Sequence, residues 1–143
     1  MTKYCTDSIY TDSSYGYNGF VDDKTELDPE DDAAYVNWGE NWRMPTYDQL
    51  NELKTKCSWT LSTQNDVNGY LVTGPNGNTL FLPDAGQRWG SALYTSGHYW
   101  SREIDFFYPD VAYYLLFNSR YVLLSYCSRD QGSTVRAVRV SQN

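Results

Sequence analysis

The sequence predicts an α+β domain of two helices with mixed antiparallel β-sheets. Two helix-start signals lie in the first half, alternating strand patterns fill the second half, and the βαβ alternation that builds a parallel sheet is missing. A chain of 143 residues holds one hydrophobic core and is short for two ordinary domains, so residues 1–143 are read as a single domain.

The elements follow in order. Tyr4–Asp22 is rich in Tyr, Ser, Asp and Gly without a helical period, which suits a terminal strand and loop tied onto a domain edge. Asp28 then Pro29 reads as an N-cap followed by proline at the first helical position, and Glu30, Asp31 and Asp32 fall where the helix dipole favours negative charge. A helix is expected from about Pro29 to Asn37, ending before Gly39. The acidic run is accounted for as helix-start chemistry and is not read as a calcium site. Thr46, Tyr47, Asp48 and Gln49 form a capping box after Pro45, and Leu50, Leu53 and Cys57 recur at helical spacing, so a helix from about Tyr47 to Lys56 packs one face on the core. Gly69–Thr73, the turn Gly74-Pro75-Asn76-Gly77 and Asn78–Leu82 read as a hairpin.

The last third alternates. In Ala112–Asn118, Tyr113, Leu115 and Phe117 fall on one face and Tyr114, Leu116 and Asn118 on the other. In Tyr121–Tyr126, Val122 and Leu124 oppose Tyr121, Leu123 and Ser125. A final strand, central or closing, is expected at Val135–Val140.

Composition narrows the function. Aromatic residues make up 17% of the chain, 14 of them Tyr, more than a core of this size needs; Tyr offers a large rigid contact area with a polar tip, so the excess points to surface recognition, against the plainer reading of a Tyr-rich packing style. A net charge of −7 argues against nucleic acid, whose phosphates need clustered Lys and Arg. No stretch reaches the roughly 20 apolar residues that cross a bilayer, and Met1–Asp12 lacks the apolar run of a signal peptide, so no membrane insertion is expected. One His and three scattered Cys give no zinc spacing, and neither a Gly-x-Ser-x-Gly elbow nor a phosphate-cradling loop occurs. No metal, cofactor or catalytic residue is assigned, and His98 is read as a surface or structural residue.

Asp105–Asp130 stands out. Its solvent-side positions on this reading carry Phe106, Phe107, Tyr108, Tyr114, Leu116, Tyr121 and Leu123, and a contiguous exposed apolar patch marks a binding site. Asp105, Asp110, Arg120, Ser125 and Asp130 would add polar contacts. Periodicity alone leaves a second reading open, in which both faces are buried in a sandwich and these side chains are core.

The runs NWGENWRMPTYDQLNEL (Asn37–Leu53), GNTLFLPDAGQRWG (Gly77–Gly90), YWSRE (Tyr99–Glu103) and GSTVRAVRV (Gly132–Val140) resemble the C-type-lectin-fold proteins related to formylglycine-generating enzymes. Within that group the chain resembles the variable proteins of diversity-generating retroelements of Bacteroidales and their phages, from about Tyr4 onward. The resemblance implies a C-type lectin fold and a ligand-binding surface whose codons, often Asn codons, are rewritten at their adenines. Such codons cannot yield Lys, Glu, Gln, Met or Trp, and none of these occurs from Asp105 through Asp130, although all five occur elsewhere.

Carried over position by position, the resemblance implies variable, ligand-binding sites at Asp105, Phe106, Phe107, Tyr108, Asp110, Val111, Tyr114, Leu116, Arg120, Tyr121, Leu123, Ser125, Tyr126, Cys127, Ser128 and Asp130. It implies a fixed scaffold at Ala112, Tyr113, Leu115, Phe117, Val122, Leu124 and Arg129. The expected protein is an extracellular adhesin or receptor-binding module on a bacterial surface or phage tail tip, with a protein or glycan ligand on a cell surface; its oligomeric state stays open. Two alternatives are an oxidase like the formylglycine-generating enzymes and a structural subunit of a surface fibre. The oxidase branch uses paired cysteines near its C-terminus, where this chain has only Cys127. The Glu-Pro-Asn, Gln-Pro-Asp and Trp-Asn-Asp tripeptides of calcium-dependent lectins are also missing. The cysteines suit either one bridge, with Cys5–Cys57 preferred because Cys127 falls in the variable segment, or three reduced thiols.

Overall fold

The computed structural model describes residues 24–108, 110–129 and 131–140. The expected terminal strand at Tyr4–Asp22 and the thiol of Cys5 lie outside them, while Cys57, at the end of the second helix, is a free thiol. The order is α1 (Ala33–Trp38), β1 (Trp42–Arg43), α2 (Tyr47–Lys56), β2 (Ser58–Gln64), β3 (Val67–Thr73), β4 (Thr79–Pro83), β5 (Gln87–Trp89), β6 (Ala92–Tyr94), β7 (Gly97–Ile104), β8 (Val111–Asn118), β9 (Tyr121–Ser128), β10 (Gly132–Ser133) and β11 (Val138–Arg139). Every pair of these strands that shares a ladder is antiparallel, so the architecture is α+β.

The second helix forms where its capping box places it. Thr46 accepts from the Gln49 amide at 3.0 Å while Gln49 accepts from the Thr46 amide at 2.9 Å, satisfying two donors that the first turn would leave bare. Leu50 is buried, and Leu53 and Cys57 pack beside it. The first helix starts later than its sequence suggests. Asp28–Asp31 makes a turn, and the N-cap is Asp32, whose Oδ1 accepts from Ala34 and Tyr35 at 2.8 and 3.0 Å. Asp32 is preferred because its carboxylate also receives the Met44 amide, at 2.9 Å to Oδ2, and so ties the helix start to the chain just after β1. Asp28 has no comparable role at a helix end, where the tie from twelve residues away decides the boundary.

β2, β3 and β4 form one sheet and β7, β8 and β9 another. The expected hairpin at 69–82 is present as β3 and β4. β2, which the sequence reading missed, joins β3 through Asn65 and Asp66, both at positive φ, the backbone of a two-residue type I′ turn. Between these sheets and α2 lies a core of Leu50, Tyr70, Val72, Leu82, Tyr99, Leu115 and Phe117. Its aromatic members satisfy their polar tips on backbone carbonyls: Tyr70 donates to Asn118 at 2.9 Å and Tyr99 to Pro83 at 2.7 Å. A second core, on the other side of β7–β8, contains Leu27, Ala34, Met44, Trp100, Ile104, Ala112 and Tyr114.

The final strand is shorter than expected. Only Val138–Arg139 pairs, with β1, in a two-stranded ribbon, so it neither sits centrally nor closes the large sheet. Val135 and Ala137 instead pack against the second core as irregular chain. No helix among the described residues is long and apolar enough to cross a membrane.

Candidate functional site

The β8–β9 hairpin pairs without a bulge from Val111↔Ser128 to Asn118↔Tyr121. Directly opposed residues share a face, so Tyr114, Leu116, Tyr121, Leu123, Ser125 and Cys127 lie on one face. Val111, Tyr113, Leu115, Phe117, Val122, Leu124, Tyr126 and Ser128 lie on the other. This is the alternation read from the sequence. Leu115 and Phe117 are fully buried, and Val122 and Leu124 pack against the same core.

The expectation that Tyr114 and Leu116 face solvent is corrected. Tyr114 is only 8% exposed, and Leu116 is half-buried against the second core. The cause lies on the neighbouring strand. His98 stacks on the Tyr114 ring at 5.4 Å and Trp100 meets it edge-on at 5.8 Å. β8 is the middle strand of its sheet, covered on both faces; β9 is an edge strand and keeps Tyr121 and Tyr126 open. Leu123 and Ser125 are half-buried, and Cys127 is held by a hydrogen bond from Gln87 Nε2 to its sulfur at 3.5 Å.

The predicted patch therefore divides in two. One part is the β9 side with Tyr121, Leu123 and Ser125, next to Arg120, which is exposed in the β8–β9 turn. The other is an aromatic corner on the opposite face. There Phe106, Phe107 and Tyr108 occupy the loop between β7 and β8 and are 71%, 80% and 66% exposed. Tyr126, on the same face as Tyr113, stands 6.4 Å from it, ring to ring. Val111 and Ser128 pair at this end of the hairpin and are half-buried, as is Asp110, whose carbonyl accepts the Arg129 amide at 2.9 Å. Asp130 lies outside the described residues.

Asp105 organises the loop. Its Oδ1 accepts from the Phe107 and Tyr108 amides at 2.9 and 3.0 Å, and Oδ2 accepts from the Tyr113 hydroxyl. Chiefly through that hydroxyl, the Asp105 carboxyl is held below the usual carboxylate value, and the Tyr113 phenol is pushed up to about 12 by the same bond. Asp105 thus acts as the loop's internal clasp, a role distinct from the open ligand contact expected of it.

Next to this clasp is a cavity of about 430 Å³, lined by Thr25, Glu26, Tyr47, Glu103, Ile104, Phe106 and Tyr113. Tyr47 meets Tyr113 edge-on at 5.3 Å. Glu103 accepts from the Tyr47 amide at 2.7 Å, and burial pushes its carboxyl above the usual value. Sequence reasoning missed Tyr47 and Glu103 as surface-site residues and placed Tyr113 in the fixed scaffold. The only local hint was Tyr47 itself, a large ring at the first position of a capped helix, where packing does not require one.

Among the described residues no group of three or more His, Cys, Asp and Glu is placed to hold a metal ion. His98 is 6% exposed with Nδ1 bonded to Ser96, and burial lowers its pKa, so its ring is part of the packing around Tyr114. No family model, curated protein or solved structure matches the chain.

Proposed function

We propose that the chain is a ligand-binding module with the C-type lectin fold, an adhesin or receptor-binding domain displayed on a bacterial surface or phage tail tip. Its surface in residues 105–130 is, on this reading, diversified by a retroelement, and its ligand is a protein or glycan on a cell surface. One observation carries the reading: the side chains that an edge strand and a loop hold open, Phe106, Phe107, Tyr108, Tyr121 and Tyr126, alternate with or flank a fully buried layer, Leu115 and Phe117. Exposed positions that contribute little to packing tolerate exchange at about half a kcal/mol each, whereas truncating a buried Leu costs about 2–5 kcal/mol. Binding can then change while folding does not. Exposed aromatic rings also supply the contact area that recognition surfaces favour.

Tyr114 is left out of the contact surface, since a ring stacked on His98 and met edge-on by Trp100 has little area to offer a ligand. Sequencing the template repeat and sibling alleles tests the reading. Substitutions should concentrate at Phe106, Phe107, Tyr108, Tyr121, Leu123 and Tyr126 and spare Leu115 and Phe117. Changes spread evenly over both groups would overturn it.

A further inference from the structure

We propose that the cavity between the start of α2 and the β7–β8 loop binds a quaternary ammonium group of the choline type. The inference rests on reading this surface as a ligand-binding one and names the chemistry it would take. Three aromatic rings, Tyr47, Phe106 and Tyr113, line the cavity together with two carboxylates, Glu26 and Glu103. Ring faces carry partial negative charge and attract a cation, and cages of this composition recognise quaternary ammonium ions. Tyr113 donates its hydroxyl proton toward the Asp105 carboxylate, which makes its ring more electron-rich.

The charge balance favours a soft cation over a hydrated one. Glu26 already pairs with Arg102 at 2.9 Å, and Glu103 already accepts the Tyr47 amide. Part of each carboxylate's acceptor capacity is thus committed, and most of the remaining lining is ring or aliphatic surface, which replaces the hydration shell of a lysine ammonium poorly. Among the described residues named at this corner, the carboxylates of Glu26, Glu103 and Asp105 outnumber the guanidinium of Arg102, on a chain of net charge −7. A trimethylammonium group spreads its charge over methyl surface, loses little hydration and fits against rings. Phe106 lies in the segment read as variable, and Tyr47, Glu103 and Tyr113 lie in the scaffold, so this cage is expected in versions of the protein that keep an aromatic residue at 106.

Calorimetric titration of the whole chain with choline, and with its uncharged carbon isostere 3,3-dimethylbutan-1-ol, tests the proposal. Choline should bind at least about tenfold more tightly than the isostere. Phe106→Ala, at an open loop position, and Glu103→Gln, which keeps an acceptor for the Tyr47 amide, should each weaken choline, and Glu103→Gln, which removes only charge, should narrow the margin of choline over the isostere. Equal binding of both molecules, or no choline binding up to on the order of 10 mM, would overturn it. Choline binding untouched by Phe106→Ala would also overturn it, by locating the cation elsewhere. A negative titration with alleles that vary only on the surface removes this proposal alone; a positive titration with evenly spread variation removes the wider reading alone.

Discussion

Gly97 faces Phe117 directly across the β7–β8 ladder, and the Phe117 ring fills the space a side chain at Gly97 would need. A Cβ built there would lie 2.0 Å from Phe117 Cζ. The ring cannot retreat, because Trp59, Tyr70 and Tyr99 surround it at 5.4, 5.5 and 5.7 Å between centroids. Gly97→Ala should therefore cost about 1–3 kcal/mol of stability, the usual range for overpacking a filled core. Urea denaturation reads this as a lower midpoint, and an unchanged midpoint would contradict the packing described.

Asp32 joins two elements through one carboxylate. Asp32→Ala removes the α1 cap and strands the buried Met44 amide, so a loss of about 2 kcal/mol or more is expected. Asp32→Asn keeps an oxygen acceptor and should lose less. Asp28→Ala, outside the helix start, should cost less than either. Thermal melts of the three variants give the order directly.

The single histidine provides a clean pH probe. Burial holds the His98 imidazole below the ordinary histidine value, partly offset by the Ser96 carbonyl. The unfolded chain therefore binds a proton before the folded one does. Its contribution to stability is fully present above about pH 6.5 and is lost as the pH falls through the lowered folded value. The ring protons of His98 should titrate below pH 6.5 by NMR, and in His98→Gln the part of the pH dependence in that window should disappear.

Glu103 and Tyr113 titrate the other way. Burial raises the Glu103 carboxyl, so the folded state binds a proton more readily there, and stability should fall as the pH rises through the window just above the ordinary carboxylate range. Glu103→Gln should flatten that window. Tyr113, pushed up to about 12, contributes stability that is complete below about pH 10 and lost as the pH climbs through its folded value. In Asp105→Asn the phenol loses its charged acceptor, and ultraviolet phenolate absorbance should show one tyrosine returning toward pH 10.

Truncation separates the buried side chains of the hairpin from the open ones on the hairpin and the β7–β8 loop. Leu115→Ala empties a fully buried site and should cost about 2–5 kcal/mol, whereas Phe107→Ala and Tyr126→Ala should stay within about 0.5 kcal/mol of the parent. Denaturant midpoints of the three variants check this. A large loss at Phe107 would mean that the loop packs on something and is not an open surface.

The elements legible in advance are those written in short-range chemistry. The Thr46–Gln49 box sets the start of α2 because its two hydrogen bonds close within one turn. The β8–β9 face assignment was legible because side chains alternate strictly along a strand, and Asn118 settles the turn by accepting from the Arg120 amide two residues on. The aromatic corner was half legible: Phe106, Phe107 and Tyr108 stood out as a run, but Tyr47 reaches it from a distant part of the chain, and Glu103, on β7, lies just outside the segment read as the surface.

By itself the sequence determined which residues share a face and where a helix can begin, since both follow from backbone geometry over a few residues. Only the tertiary structure decided which face is covered. Tyr114 is closed off by His98 and Trp100 from the neighbouring strand, and Asp32 displaces Asp28 as a cap through an amide that comes from Met44. Burial is a property of the partners that arrive from elsewhere, and alternation records only that two faces exist.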